Sequence, residues 1–311
     1  KLPGFFGATS MTRSFSDNYK DIYNAGSYFE LHDNPILYSV PDTATVMVNN
    51  VRVLLSIYSP NKIVNASNMI SHTKELFEAQ GKYLGGELPT DRYSILVYLF
   101  KGASKSGSAG ALEHFKSTTL SYPEVPEADL IEPFIDVVSH EFFHIVTPLN
   151  IHSREIGEFD FINPRMSKHL WLYEGSTEYY SHHCQVKFGI VTEGRFLEKM
   201  AQKIMISSAY FNDTLPFTEM SKGALDNYKQ QYINVYLKGA LISMCLDLEL
   251  LRLSGGKYGL QSLKQELVKK YGPDKPFEDE ELFDVITGMT YPEIREFFRD
   301  YVEGNKKLPY H

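Results

Sequence analysis

Two prolines, Pro123 and Pro126, mark a change of character that limits the fold more than any other feature of the chain. Before them the pattern is mostly extended. The stretch ATVMVNNVRVLLSIYSP (44–60) carries β-branched residues on both sides of Asn49-Asn50, which predicts a hairpin. A helical period follows over 64–82 and stops near Gly85-Gly86. RYSILVYLF (92–100) is a continuous apolar run of the kind found in a buried strand, and GALEHFKSTTL (110–120) reads as a polar edge strand. Between them, KGASKSGSAG (101–110) is a glycine- and serine-rich loop suited to rimming a site. Residues 1–39 are aromatic and turn-rich without a sustained period. After the prolines the spacing becomes helical, over 129–147, 168–189, 192–209, 232–253, 257–271, 279–287 and 291–303. The helix over 232–253 is apolar nearly all round and should lie centrally. Thr290 and Glu293 have capping-box spacing at the head of the last helix, with Pro292 in its first turn. The expected class is α+β, with a β-rich subdomain over 1–125 and a helical one over 126–311 that face each other across a cleft.

Composition narrows the function classes. The 311 residues include 21 Tyr and 20 Phe, too apolar a content for disorder and enough for a substantial core. With 31 basic and 39 acidic residues the formal charge is −8, which argues against a nucleic-acid surface. No apolar run approaches the ~20 residues of a membrane span. Cys184 and Cys245 fall in helical patterns, so two buried thiols are expected, with a single disulfide as the alternative. The opening KLPGFFG lacks the charged and apolar regions of a signal peptide, and a start without Met points to a processed or truncated product. Asn65 and Asn212 head glycosylation-type triplets, meaningful only in a eukaryotic secretory route.

The sharpest chemistry lies in HEFFH at 140–144. Residues four apart share a helix face, so His140 and His144 can ligate one ion, and Glu141 can hold that ion's water without ligating. Ile131, Phe134, Ile135, Val138, Phe142 and Ile145 recur on the opposite, apolar side. This is the pattern of a zinc hydrolase, against the plainer reading of two satisfied histidines on a helix surface. A third ligand decides between them. The metzincin continuation fails, because Thr147 and Asn150 stand where it needs Gly and His. Glu174, inside HLWLYEGSTEYY, is the better candidate, with Glu178 one helical turn on, placed to brace a ligand histidine. The plainer reading of Glu174 alone is a solvated helix carboxylate, and WLYEG following HEFFH weighs against it.

HEFFH followed by LWLYEGSTEYY resembles the glycyl aminopeptidase family of gluzincin metallopeptidases. Other matches come in the same order: GALEH (110–114), YLKGA (236–240), YVEGNKKLPY (301–310) and the opening PGFFGATSM. The resemblance implies a thermolysin-like catalytic core, from which an N-terminal β domain and a C-terminal PDZ-like domain are missing. It implies one Zn²⁺ per chain on His140, His144 and Glu174, Glu141 as general base, and Tyr236 as oxyanion donor. It also implies that Glu113 grips the α-ammonium of a peptide with a free N-terminus, and that Gly110 lets substrate approach the backbone. Without the family, Tyr236 is an ordinary tyrosine and Glu113 an exposed strand carboxylate. Lys238 is expected to be a structural cation, and His152, His169, His182 and His183 surface or supporting residues. Ile145 to His152 lacks the aromatic-then-basic run of many family members, which bears on the preference for glycine.

The expected activity is a zinc aminopeptidase acting on small N-terminal residues, Gly or Ala, in an exported or envelope setting on family grounds alone. A zinc endopeptidase on the same scaffold and a peptide-binding module with little turnover are the alternatives.

Overall fold

The computed structural model describes residues 1–86, 88–103, 109–160 and 162–310. Packing groups the chain into two compact units, Lys1–Ile145 and Val146–His311.

The first unit begins with short elements: β1 (Phe6–Ala8), β2 (Thr12–Ser16), β3 (Asp21–Asn24), α1 (Tyr28–His32) and β4 (Leu37–Ser39). β1 pairs with β4 and β2 with β3, both antiparallel. The main sheet comprises β5 (Thr43–Val48), β6 (Val51–Tyr58), β7 (Arg92–Phe100), β8 (Gly110–His114) and β9 (Ser117–Pro123), in the order β5-β6-β7-β9-β8. β6, β7 and β9 run parallel, and the antiparallel β5 and β8 form the margins. The predicted hairpin joins β5 to β6 with Val48 opposite Val51, and Asn49 takes a φ of 50° that asparagine tolerates.

α2 (Ala66–Tyr83) is the crossover between β6 and β7. The Asn65 side chain caps it by accepting from the Asn68 N–H at 3.1 Å, so this triplet asparagine has a structural use. α3 (Glu127–Phe143) packs on α2, β8 and β9. The change from strand to helix falls where the sequence put it, between Pro123 and Glu127, whereas packing keeps α3 with the sheet. Ala8, Leu54 and Leu96 form a buried hydrophobic cluster, with Phe6 and Leu37 packed on it. Of the glycine- and serine-rich stretch, residues 104–108 lie outside the described residues.

The second unit is helical: α4 (Arg154–Gly157), a π turn (Trp171–Gly175), α5 (Ser176–Lys187), α6 (Glu193–Tyr210), α7 (Phe217–Lys222), a 3₁₀ turn (Lys229–Gln231), α8 (Tyr232–Ser254), α9 (Leu260–Lys270), α10 (Leu282–Met289) and α11 (Pro292–Tyr301). As its apolar circumference predicts, α8 is central, touching the π turn, α5, α6, α7, α9 and α11. It ends at Gly255, whose φ of 63° suits glycine, with the Gly256 N–H returning to the Leu251 carbonyl at 2.7 Å.

One predicted cap is corrected. Tyr291, not Thr290, is the N-cap of α11, and the Thr290 hydroxyl donates backward to the Ile286 carbonyl at 2.7 Å. A threonine one turn past a helical carbonyl has that acceptor within reach, which competes with capping the next helix. Pro292 does open α11. Cys184 and Cys245 are free, buried thiols. Among the described residues no helix is long and apolar enough to cross a membrane.

Candidate metal centre

The carboxyl-terminal end of α3 carries the HEFFH residues, and its orientation is set from the opposite side. Phe142 contacts Phe77 of α2 at 4.4 Å and Tyr93 of β7 at 5.1 Å between ring centroids. Phe143 packs edge-on to Tyr83, and the Gln80 amide donates to the Ser139 carbonyl at 3.0 Å. Phe142 lies about 200° round the helix from His140, so anchoring the phenylalanine against α2 and β7 turns the imidazoles to the other side of α3. His140 and His144 are buried, and their Nε2 atoms approach to 3.1 Å. His144 is the C-cap of α3 and keeps αR angles, and there the helix tightens so that its N–H reaches the Glu141 carbonyl at 3.3 Å.

A zinc ion fits this pair. Two donors at ~2.0–2.1 Å from one tetrahedral ion stand about 3.3 Å apart, close to the separation of the two imidazole nitrogens. Glu113 of β8 and Glu141 of α3 bring one carboxylate oxygen each to within 4.8 Å of a His144 nitrogen and of one another. Glu113 is half-buried, not exposed as an ordinary edge-strand glutamate would be. Gly110 opens β8, and a Cβ there would meet nothing within 4 Å. The first unit thus brings together His140, His144, Glu141 and Glu113.

Two tyrosines unforeseen from the sequence share this environment. Burial first, then the carboxylates of Glu141 and Glu113, raise the Tyr93 phenol well above its ordinary pKa. Burial and Glu141 raise Tyr122 as well. Both hydroxyls stay protonated and uncharged beside the acids. Nothing in the sequence set them apart: Tyr93 shares RYSILVYLF with Tyr98 and Phe100, and Tyr122 lies in the polar strand STTLSYP.

Glu174 and Tyr236 belong to the second unit, on elements that touch. Glu174 is half-buried in the π turn, where the Ser176 N–H skips to the Trp171 carbonyl. π turns of this kind concentrate at functional positions, because one extra residue redirects a side chain. The glycine after Glu174 and the glycine of YLKG are in backbone contact: a Cβ on Gly175 would lie 2.4 Å from the Gly239 carbonyl carbon. Both motif glycines therefore serve one helix crossing, with Glu174 beside Gly175 and Tyr236 one turn before Gly239. The Tyr236 hydroxyl lies 3.4 Å from that of Tyr232.

Glu178 holds His182 at 3.1 Å and pairs with Lys203. Lys238 is a structural cation as expected, buried and donating to the Asp213 carbonyl at 2.7 Å. Of the two roles expected for the remaining histidines, the surface one does not apply to His152, His169 and His182, which are all buried. His169 is the most constrained: its Nδ1 accepts from the Trp171 indole at 3.1 Å and its Nε2–H donates to the Asp279 carbonyl at 2.7 Å. Burial pushes its pKa down to about 3, so the neighbouring Asp279 carboxylate, 3.9 Å away, faces an uncharged ring.

Residues 133–242 match the family described as M61 glycyl aminopeptidase. The resemblance read from the sequence is borne out over this stretch, which contains both histidines, Glu141, Glu174 and Tyr236. No curated protein matches the chain. Among solved structures, an aminopeptidase N family protein from Idiomarina loihiensis is similar with a TM-score of 0.84 at 22% identity, over 99% of this chain and 54% of that one. An M1 zinc metallopeptidase from Deinococcus radiodurans is similar with a TM-score of 0.65 at 16% identity, over 98% of this chain and 63% of that one. At these identities the likeness is one of fold, and it agrees with the α+β, thermolysin-like core expected from the sequence. This chain spans about half the length of the Idiomarina protein, 54%.

Proposed function

We propose that the protein is a zinc aminopeptidase cleaving peptide bonds after small N-terminal residues such as Gly or Ala, with His140, His144 and Glu174 holding one zinc ion. The observation that carries this reading is the cluster at the end of α3. Two imidazole nitrogens 3.1 Å apart meet the carboxylates of Glu141 and Glu113 in one place. Two donor sets are conceivable, His140-His144-Glu174 and Glu113-Glu141-His144. The second would leave the His140 nitrogen idle 3.1 Å from a ligated one, so the first is the better assignment. It also has the His₂Glu composition of catalytic zinc.

Bound zinc supplies Lewis acidity and lowers the pKa of water toward ~7. Glu141 accepts the proton of the attacking water at its carboxylate and later returns it to the departing amine. The Tyr236 phenol donates a hydrogen bond to the carbonyl oxygen as that atom gains charge. Glu113 accepts from the α-ammonium of the first residue, and this charge-assisted contact selects substrates with a free N-terminus. β8 is one of the two edge strands of the sheet, so extended substrate can pair along it beside Gly110.

The test is metal analysis. The purified chain should bind one zinc per molecule, and His140→Ala or His144→Ala should abolish binding while the apo proteins unfold at similar temperatures. A chain that takes up no zinc would refute the reading.

A further inference from the structure

The second unit contains a buried amine that the mechanism above does not use. Lys264 of α9 is 2% exposed. Its Nζ donates to the Thr147 hydroxyl at 2.9 Å and lies 4.6 Å from the centre of the Tyr180 ring. Among the described residues no carboxylate pairs with it. Thr147 and Thr177 are fully buried, and their hydroxyl oxygens lie 3.3 Å apart. Lys264, Thr147 and Thr177 thus form a continuous hydrogen-bonded line inside the second unit.

A lysine is an unfavourable filler here. Burial holds its amine well below the ordinary lysine pKa, and a methionine would occupy similar volume without the desolvation cost. What the amine adds is direction, because an N–H fixes the Thr147 hydroxyl where a thioether would not. The line also has a notable address in the sequence. Thr147 is the third residue after His144, and Thr177 is the third after Glu174. On the helical turn that carries Glu174, a residue three places on lies over the same face.

We propose that Lys264, Thr147 and Thr177 are positioning residues for the metal site. The line ties the chain leaving the zinc helix to the helix bearing Glu174, and so fixes how His144 and Glu174 present their donor atoms. It rests on the zinc reading above. It predicts that metal affinity depends on two hydroxyls and an amine that touch no substrate, as outer groups commonly tune a metal site.

The experiment is competition for zinc against a chromophoric chelator. It uses the unaltered chain, Lys264→Met, Thr177→Val and Thr177→Ser, with cobalt(II) absorption and apo thermal unfolding measured alongside. Lys264→Met and Thr177→Val should each bind zinc about 10–100-fold more weakly and shift the cobalt ligand-field bands. Thr177→Ser keeps the hydroxyl and should retain both affinity and spectrum. A folded Thr177→Val that binds zinc as tightly as the unaltered chain, with an unchanged cobalt spectrum, would overturn the inference and leave the zinc reading intact. Should Lys264→Met fail to fold, the Thr177 pair still decides the matter. An unaltered chain that binds no zinc overturns the site and this inference together.

Discussion

Gly175→Ala is the substitution for which local and tertiary effects oppose each other most clearly. Gly175 has φ −63° and ψ −47°, ordinary right-handed values, so alanine meets no backbone strain there. By helix propensity alone the change would stabilise by ~1 kcal/mol. The new Cβ, however, would lie 2.4, 2.5 and 2.6 Å from the C, Cα and O of Gly239. Carbon contacts are comfortable at ~3.5–4.0 Å, so the π turn and α8 would have to part by about 1 Å. Neither partner is a flexible side-chain end, and α8 is hemmed in by α5, α6, α7, α9 and α11. Overpacking typically costs 1–3 kcal/mol, and backbone-on-backbone contact belongs at or above the top of that range. The net expectation is about 2 kcal/mol of destabilisation, a fall of about 3 °C in Tm for 311 residues at ~2.1 cal/mol/K of unfolding entropy each. Thermal unfolding of the apo protein by circular dichroism is the assay. Gly194→Ala is the control, since the nearest atom to its new Cβ is 3.9 Å away on Thr192, and it should be neutral or slightly stabilising. A Gly175→Ala protein as stable as the parent would refute the backbone contact as the reason for both motif glycines.

Glu141→Gln should lower kcat by about 10²–10⁴ while zinc content stays at one per chain, as read by turnover of a glycyl anilide beside metal analysis. Loss of zinc together with activity would instead make Glu141 a ligand. Tyr236→Phe should cost about 10²–10³ in kcat with little change in KM, and an unchanged kcat would return Tyr236 to the ordinary tyrosines. His169 should make folding sensitive to acid. Its folded pKa of about 3 lies below the unfolded value of 6.5, so its contribution is complete above pH 6.5. It is lost as the pH falls toward 3, with a slope of up to ~1.4 kcal/mol per pH unit. An imidazolium NMR signature for His169 in the folded protein at pH 5 would contradict this.

Much of the architecture was legible because it depends on local periodicity. The run 92–100 is the central strand β7, Asn49-Asn50 turns the hairpin, and the apolar span 232–253 is the central helix α8. HEFFH was legible as chemistry because its spacing needs only a helix. The π turn was not, since one added residue in a helix is set by what packs against Trp171 and Gly175, not by the propensity of WLYEG. The contact of Gly175 with Gly239 joins residues 64 apart in the sequence, and no pattern within either motif announces it. Lys264 reads as a surface lysine until the fold buries it against Thr147 and Tyr180. Residues 1–39 resisted reading because strands as short as β1 and β4 take their pairing from the sheet face beneath them.

In the proposed function the site removes residues from a free N-terminus, with Glu113 gripping the ammonium group. Its most direct test is hydrolysis of glycyl and alanyl anilides against their N-acetylated counterparts by the zinc-loaded protein. Cleavage of the free-amine substrates only is expected, with loss of that discrimination in Glu113→Gln. Equal cleavage of the blocked substrates would contradict it and make the protein an endopeptidase.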